Sequence, residues 1–386
     1  MLIDLLFIAL TSSTIAVFWK VILLTHARAS IRRMIAPSHY IQGKGAIYYL
    51  GQNAMHLGDK AFVIGGRTAL SEAGERLKKS LASNGIEVVA WNDSVKECTH
   101  GTIDRLVEEG RRERPHFVVG VGGGKAIDTA KSVAWKMKLP SATVGTQCAT
   151  NADGSAEAVI HTEDHRFLEA VYLPRNPVIV IEDTEVLFKA PLKYMIWGMG
   201  DALSAKFEAE AYAKARERRR DGAVPTAAAL ALADACFRSL MANGVQAVKD
   251  AKNGIHSLAV DEIIECVKLT SAIAFENTGC ALAHALHNGL MKTGEIRGEH
   301  GEIVAYTTIV QAAYERRPRD EVRAMVDWCE RVGLPTKLRY FGEPSRAAVR
   351  QACQHAAEKD IDSRNMPENV KPSELMNSIE EVERGL

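Results

Sequence analysis

The spacing of apolar and polar positions divides the chain into two unlike stretches. From Lys60 onward, short apolar runs alternate with amphipathic segments. KAFVIGG (60–66) is a compact apolar run closed by two glycines, as expected of a buried strand. Leu70 to Asn84 repeats at helical spacing and stops at Gly85. IEVVAW (86–91) predicts a second strand, Ile103 to Arg114 a second helix, and HFVVGVGGG (116–124) a third strand running into glycines. SATVGT (141–146) predicts the next strand. Such alternation implies a parallel sheet with crossover helices, and ligands in such sheets sit at the carboxyl ends of the strands. Beyond Pro191 the segments become long and rich in Ala and Leu, with no strand alternation.

Two glycine-bearing stretches carry candidate chemistry. The first is GVGGGKAIDTAK (120–131). Gly122, Gly123 and Gly124 would let the backbone approach a diphosphate without Cβ clashes, and a helix starting near Lys125 would aim its positive end at those oxygens. A tight turn with no ligand is the competing reading. Thr143 and Thr146 end the following strand, with hydroxyls suited to a cofactor amide or ribose. Gly65-Gly66-Arg67 brings no acid for a ribose 2′-hydroxyl, so a 2′-phosphate on Arg67, and hence NADP, stays open.

The second stretch is ALAHALHNGLMKTGEIRGEHGE (281–302). His284 and His287 are three residues apart and share a helix face. Gly289, Gly294, Gly298 and Gly301 are expected to break that helix and leave His300 on a loop. Imidazole is the commonest metal ligand. Asp201, after two glycines in GMGDALSAKFEAEA, is the candidate third ligand. Core histidines satisfied by hydrogen bonds, with Asp201 as a helix cap, would give the same pattern.

Composition narrows the field. The 386 residues suit two domains. Lys+Arg and Asp+Glu balance at 48 each, so nothing suggests a nucleic-acid or polyanion partner. RERRR (216–220) is therefore expected to be a solvated helix end, and Met195 and Trp197 to be core. The seven cysteines are scattered and never in C-x-x-C spacing, which points to a reducing compartment. Leu2 to Leu24 is apolar but interrupted by Asp4 and Lys20, and is marginal as a spanning helix. Residues 1–33 are expected to be an upstream extension before a start at Met34, a membrane anchor, or a targeting peptide. His26, Arg28, Arg32 and Arg33 would keep the C-terminal side of an anchor cytoplasmic, and the catalytic part is expected to face the cytosol either way.

GVGGGKAIDTAK (120–131), LPRNPVIVIEDTEVL (173–187), GMGDALSAKFEAEA (198–211), AHALHNGL (283–290) and GEHGEIVAYTTIVQ (298–311) occur in an order that resembles the glycerol dehydrogenase branch of the iron-containing alcohol dehydrogenase superfamily. The likeness runs from about Ala36 to the C-terminus. It implies a Rossmann-like α/β nicotinamide-binding domain (34–185), then an all-helical metal-binding domain (186–386) of the dehydroquinate synthase-like fold, joined near Glu182–Pro191. It implies metal ligation by Asp201, His284 and His300, with His287 beside the nicotinamide or on a proton path. It implies cofactor contacts by Gly122, Gly123, Gly124, Lys125, Asp128, Thr143, Thr146, Ser155 and His161, and a homo-oligomer. The activity implied is hydride transfer between a glycerol-like alcohol, or its ketone, and NAD.

The chain also departs from that family. Ala205 stands where iron-dependent relatives place a second His, leaving three ligands and favouring Zn2+, with Fe2+ as the alternative. Asn151 replaces the Asp expected to contact the triol, and an acid appears at Asp153. Glu157 replaces an apolar residue and His161 a Tyr. Substrate recognition is therefore the open question. A 2-hydroxy acid or a glycerol-phosphate, the latter met by Arg297 or Lys292, would change the substrate. A dehydroquinate-synthase-like lyase using NAD transiently would change the reaction, and a redox-silent, membrane-tethered binding protein would remove it.

Overall fold

The structure is a computed structural model that describes residues 31–215 and 224–385. The apolar stretch Leu2–Leu24 and the basic cluster Arg216–Arg220 lie outside the described residues. Among those described, no helix is long and apolar enough to cross a membrane.

Six parallel strands form the first half: β1 (His39–Gly43), β2 (Lys60–Gly65), β3 (Glu87–Asn92), β4 (Phe117–Gly122), β5 (Ser141–Gly145) and, after a hairpin, β8 (Ile179–Asp183). Their spatial order is β1-β8-β5-β4-β2-β3. The hairpin pairs β6 (Glu157–His161) antiparallel with β7 (Phe167–Tyr172). Crossover helices α1 (Arg67–Ala82), α2 (His100–Glu113) and α3 (Gly124–Met137) join β2 to β3, β3 to β4 and β4 to β5.

The apolar runs are continuous because both sheet faces are covered. Val63, Val119 and Val121 pack on one face with Leu70, Leu77 and Leu81 of α1. The alternate residues Phe62, Ile64 and Val118 pack on the other with Leu106 of α2 and Val133 of α3. From β2 the chain first moves outward to β3, then returns across β2 to β4. The carboxyl ends of β2 and β4, in register at Gly65 and Val121, therefore mark the topological switch point. The predicted strands are all present. The edge strand β1 and the inner strand β8, neither of them predicted, complete the sheet.

After Asp183 the described chain is helical. A short helix (Thr184–Lys189) leads to α4 (Leu192–Lys214), α5 (Ala227–Lys252) and α6 (Leu258–Glu265). A π-helical turn (Cys266–Thr270) then runs into α7 (Ser271–Thr278). Next come α8 (Leu282–Lys292), α9 (His300–Tyr314), α10 (Arg319–Val332), α11 (Arg346–Glu358) and α12 (Pro372–Arg384). Helix α9 is buried at every residue from Ile303 to Ala312 and forms the axis of this array. An all-round apolar helix is stable only when enclosed.

Two glycines set the closest helix approach. A Cβ on Gly200 of α4 would overlap the carbonyl oxygen of Gly301 on α9, and one on Gly301 would overlap that of Trp197 on α4. Replacing Gly301 by Ala is expected to force the two helices apart. Overpacking of this kind costs about 1–3 kcal/mol. The expected result is a lower Tm together with weakened metal binding, read by thermal unfolding and metal analysis; a variant with wild-type values for both would contradict this packing.

Candidate metal and cofactor site

Helix α4 begins at Leu192, so Asp201 lies in its third turn and caps nothing. His300 is likewise the first residue of α9, not a loop residue, and Gly289 sits inside α8. These glycines read as helix breakers in isolation, yet Gly289 and Gly301 serve helix packing instead. The approach of α4 to α9 brings Asp201 Oδ1 to 3.3 Å from His300 Nε2, and α8 adds His284 Nε2 at 3.4 Å. Asp201 is 7% exposed, and its Oδ1 accepts no hydrogen bond. Burial would push its carboxyl up, but the two imidazoles together hold it well below the usual carboxylate range.

The donor set fits a divalent cation. Three lone-pair atoms converge on one point, and the buried carboxylate oxygen among them is otherwise orphaned. His284 Nδ1 donates to Glu208 Oε2 at 2.7 Å, which leaves its Nε2 lone pair facing Asp201. Glu208 is fully buried, and its Oε1 accepts the N–H groups of Ala281 (2.7 Å) and His284 (3.0 Å). A carboxylate behind a ligating imidazole fixes its tautomer and ring plane. Sequence reasoning missed Glu208. The available signal was its position seven residues beyond Asp201, two turns along the same helix face.

His300 has its own support. With Nε2 toward Asp201, its Nδ1 donates to His287 Nε2 at 3.1 Å. His287 Nδ1 then donates to Asn288 Oδ1 (3.0 Å), and Asn288 Nδ2 to Asp360 Oδ2 (3.1 Å). Burial and the neighbouring His300 hold the His287 imidazole well below its ordinary pKa, so it stays neutral. His287 thus stands beside the cluster rather than within it. Ala205 is buried and adds no donor.

The glycine turn lies at the switch point. Helix α3 starts at Gly124 with Gly123 at its cap. Gly122 has φ +150°, and a Cβ there would come within 2.8 Å of the Ala126 Cβ. The first N–H groups of a helix lack intrahelical partners, which makes this helix start at the switch point a candidate anion site. Lys125 Nζ, however, is held 2.6 Å from Glu97 Oε2, which also meets His165 Nδ1 at 2.7 Å. His161 Nδ1 lies 3.3 Å from Glu97 Oε1. Burial pushes Glu97 up, but the bonds from Lys125 and His165 outweigh it and lower its pKa.

Several polar residues expected at the cofactor are spent inside the fold. Thr143 is fully buried, and its hydroxyl donates to the Asp153 carbonyl at 2.9 Å, so it offers nothing to a ligand. Asp128 is buried, pairs with Lys131 (2.9 Å) and accepts the Val159 N–H (3.0 Å). Ser155 Oγ lies among the acceptors around the buried Lys131 ammonium. Thr146, by contrast, is half-buried at the turn, its N–H bonded to the Gly122 carbonyl at 3.1 Å. Asp153, the displaced acid, is fully buried and ion-paired with the equally buried Lys268 of the π-helical turn. Asn151 is half-buried and donates to Ser271 Oγ of α7 at 3.3 Å.

Comparison with known proteins now places the chain. Residues 37–184 match the model of the family described as iron-containing alcohol dehydrogenase. Over 347 residues the chain is 36% identical to the glycerol dehydrogenase of Citrobacter freundii, covering 89% of this chain and 95% of that one. Over 361 residues it is 34% identical to the glycerol dehydrogenase of Thermotoga maritima, covering 92% and 97%. The crystal structure of glycerol dehydrogenase from Schizosaccharomyces pombe superposes with a TM-score of 0.85 at 29% identity, covering 92% of this chain and 90% of that one. The chain belongs to the iron-containing alcohol dehydrogenase family.

Glu208→Gln keeps the shape behind His284 but removes the charge that orients it. It is expected to lower metal affinity about 10–100-fold, as losses of such outer carboxylates do. Competition against a chelator measures this, and unaltered affinity would remove Glu208 from the site.

Proposed function

We propose that this protein oxidises a small polyol or vicinal diol, glycerol-like in size, with NAD as hydride acceptor and a divalent cation held by Asp201, His284 and His300. The observation that carries the reading is the convergence of one orphaned carboxylate oxygen and two imidazole Nε2 atoms. The relatives named glycerol dehydrogenase support the substrate type. A two-His, one-carboxylate set with a free position is the pattern of catalytic zinc, so zinc is the metal proposed.

A bound divalent cation supplies Lewis acidity, which lowers the pKa of a neighbouring hydroxyl. The protein's own residues do the rest. Glu208 holds the His284 lone pair forward, and the His287–Asn288–Asp360 chain does the same for His300. The neutral His287 reaches the site only through the His300 N–H that its Nε2 accepts. The turn at Gly122–Lys125 is the proposed seat of the cofactor diphosphate, with Thr146 at its edge. Seven free cysteines accord with a cytoplasmic setting. A homo-oligomer is proposed by analogy with the family.

His284→Ala is expected to abolish NADH formation from every diol and to reduce bound metal, followed by absorbance and metal analysis. Full activity in a metal-free variant would sink the assignment. Asn151→Asp is expected to raise kcat/KM for glycerol by about tenfold, roughly 1.4 kcal/mol of transition-state binding. An unchanged value would locate triol recognition elsewhere.

A further inference from the structure

Away from the His/His/Asp cluster, the two halves meet around three fully buried carboxylate oxygens. Oε1 and Oε2 of Glu182 and Oδ1 of Asp153 accept no hydrogen bond among the described residues. Glu182 lies in β8, and a Cβ on Gly145, the last residue of β5, would overlap its Oε2. The carboxyl therefore sits against the carboxyl end of β5. Asp153 belongs to the segment that follows that strand. The helical half contributes Lys268 of the π-helical turn, also fully buried. Both acids face its ammonium: Asp153 Oδ2 accepts a hydrogen bond from Nζ, and Glu182 Oε2 lies 4.0 Å away.

The donors nearby are committed elsewhere. Lys268 Nζ gives its other hydrogen bond to the Thr150 carbonyl at 3.2 Å, and 4.0 Å to Glu182 is too long for one. On the neighbouring strand β1, Gln42 is in register with Glu182. Its Nε2 donates to the Asp261 carbonyl at 2.9 Å, while the Tyr40 hydroxyl donates to Gln42 Oε1. Neither residue turns a donor to Glu182.

Charge does not balance either. Two carboxylates share one ammonium, which leaves an excess negative charge at zero exposure. The other titratable neighbours are neutral: burial pushes the Cys148 thiol up to about 12, and burial with Glu182 raises Tyr40 well above its ordinary value. Burial, only partly opposed by Lys268, likewise raises Glu182. An uncompensated buried charge is costly unless a ligand offsets it. A water brings donors but no charge. A proton on Glu182 removes the charge, but its second oxygen and Asp153 Oδ1 still accept nothing, and the new O–H needs an acceptor of its own. A cation answers both deficits at once.

We propose that Glu182 and Asp153, beside Lys268, form a second cation site that takes a monovalent ion of Na+ or K+ type at the seam between the α/β and helical halves. The all-oxygen donor set suits a hard cation. A divalent ion would turn the buried excess positive, and Mg2+ dehydrates reluctantly. The site shares no residue with Asp201, His284 and His300 and stands independently of the oxidation proposed above. Its ion is structural: it joins β8 and the segment after β5 to the turn that carries Lys268.

The test is thermal unfolding of the zinc-loaded protein in potassium, sodium or tetramethylammonium chloride at equal ionic strength. Tetramethylammonium is too large for a buried site and serves as the blank. Wild-type Tm is expected to be about 3 °C higher in KCl or NaCl once that ion exceeds its Kd about a hundredfold, and the larger response names the ion. Glu182→Gln removes the excess charge while keeping the shape. It is expected to lose the response and, in tetramethylammonium, to unfold no lower than wild type. Equal wild-type Tm in the three salts would overturn the proposal and leave Glu182 held as the neutral acid. A response that survives in Glu182→Gln would overturn it as well. Crystals of the wild-type protein soaked in thallium(I), read by anomalous scattering, cover a variant that fails to fold. A peak on the Glu182 and Asp153 oxygens is expected, and water alone at those oxygens would refute the site.

Discussion

The site depends on how closely α4 and α9 approach. Gly200 and Gly301 leave no room for a side chain between the two backbones. That contact puts Asp201 of one helix beside His300, the first residue of the other. The same helix α4 carries Glu208 two turns on, where it receives the start of α8 through the Ala281 and His284 N–H groups. One packing contact therefore sets the positions of two candidate ligands, and one buried carboxylate orients the third. The geometry is held by backbone and core, not by flexible surface side chains, which is the condition for a preorganised metal site.

The α/β half is fastened to this helical half by the segment after β5. Asn151, Asp153 and Ala156 each bond to the continuous stretch from the π-helical turn through α7, at Ser271, Lys268 and Glu276. The Lys268–Asp153 pair is fully buried, with Glu182 at 4.0 Å. Burial and the nearby Asp153 raise the Glu182 carboxyl well above its ordinary pKa, against the pull of Lys268. Buried ion pairs contribute little net stability, but losing one partner is expensive. The pair ties the segment after β5 to the π-helical turn, and either residue without the other would be an uncompensated buried charge. It also explains why Asp153, though next to a substrate-type segment in sequence, is unavailable to substrate.

Much of the fold was legible because its signals are local. Buried parallel strands need continuous apolar runs and close with glycines, and β2, β4 and β5 showed both. The strand order was not legible, since nothing in a strand's own residues states its neighbour. The identities of Asp201, His284 and His300 were legible from spacing and resemblance, but their settings were not. Gly301 reads as a helix breaker because a glycine that admits a neighbouring backbone looks the same in sequence as one that ends a helix. Glu208 and Glu97 escaped notice because their partners lie far along the chain: His284 is 76 residues from Glu208, and His165 is 68 from Glu97. Thr143 and Asp128 look available at strand and helix ends until tertiary partners claim them.

The central claim is that the cation is held by nitrogen and oxygen alone. Glu208, Cys280 and His284 also lie close enough together to form a competing set on the far side of the His284 ring. X-ray absorption spectroscopy of the zinc-loaded protein separates the two. The account predicts a first shell of nitrogen and oxygen scatterers at about 2.0–2.2 Å. A sulfur shell at about 2.3 Å would place the metal on Cys280 and contradict it.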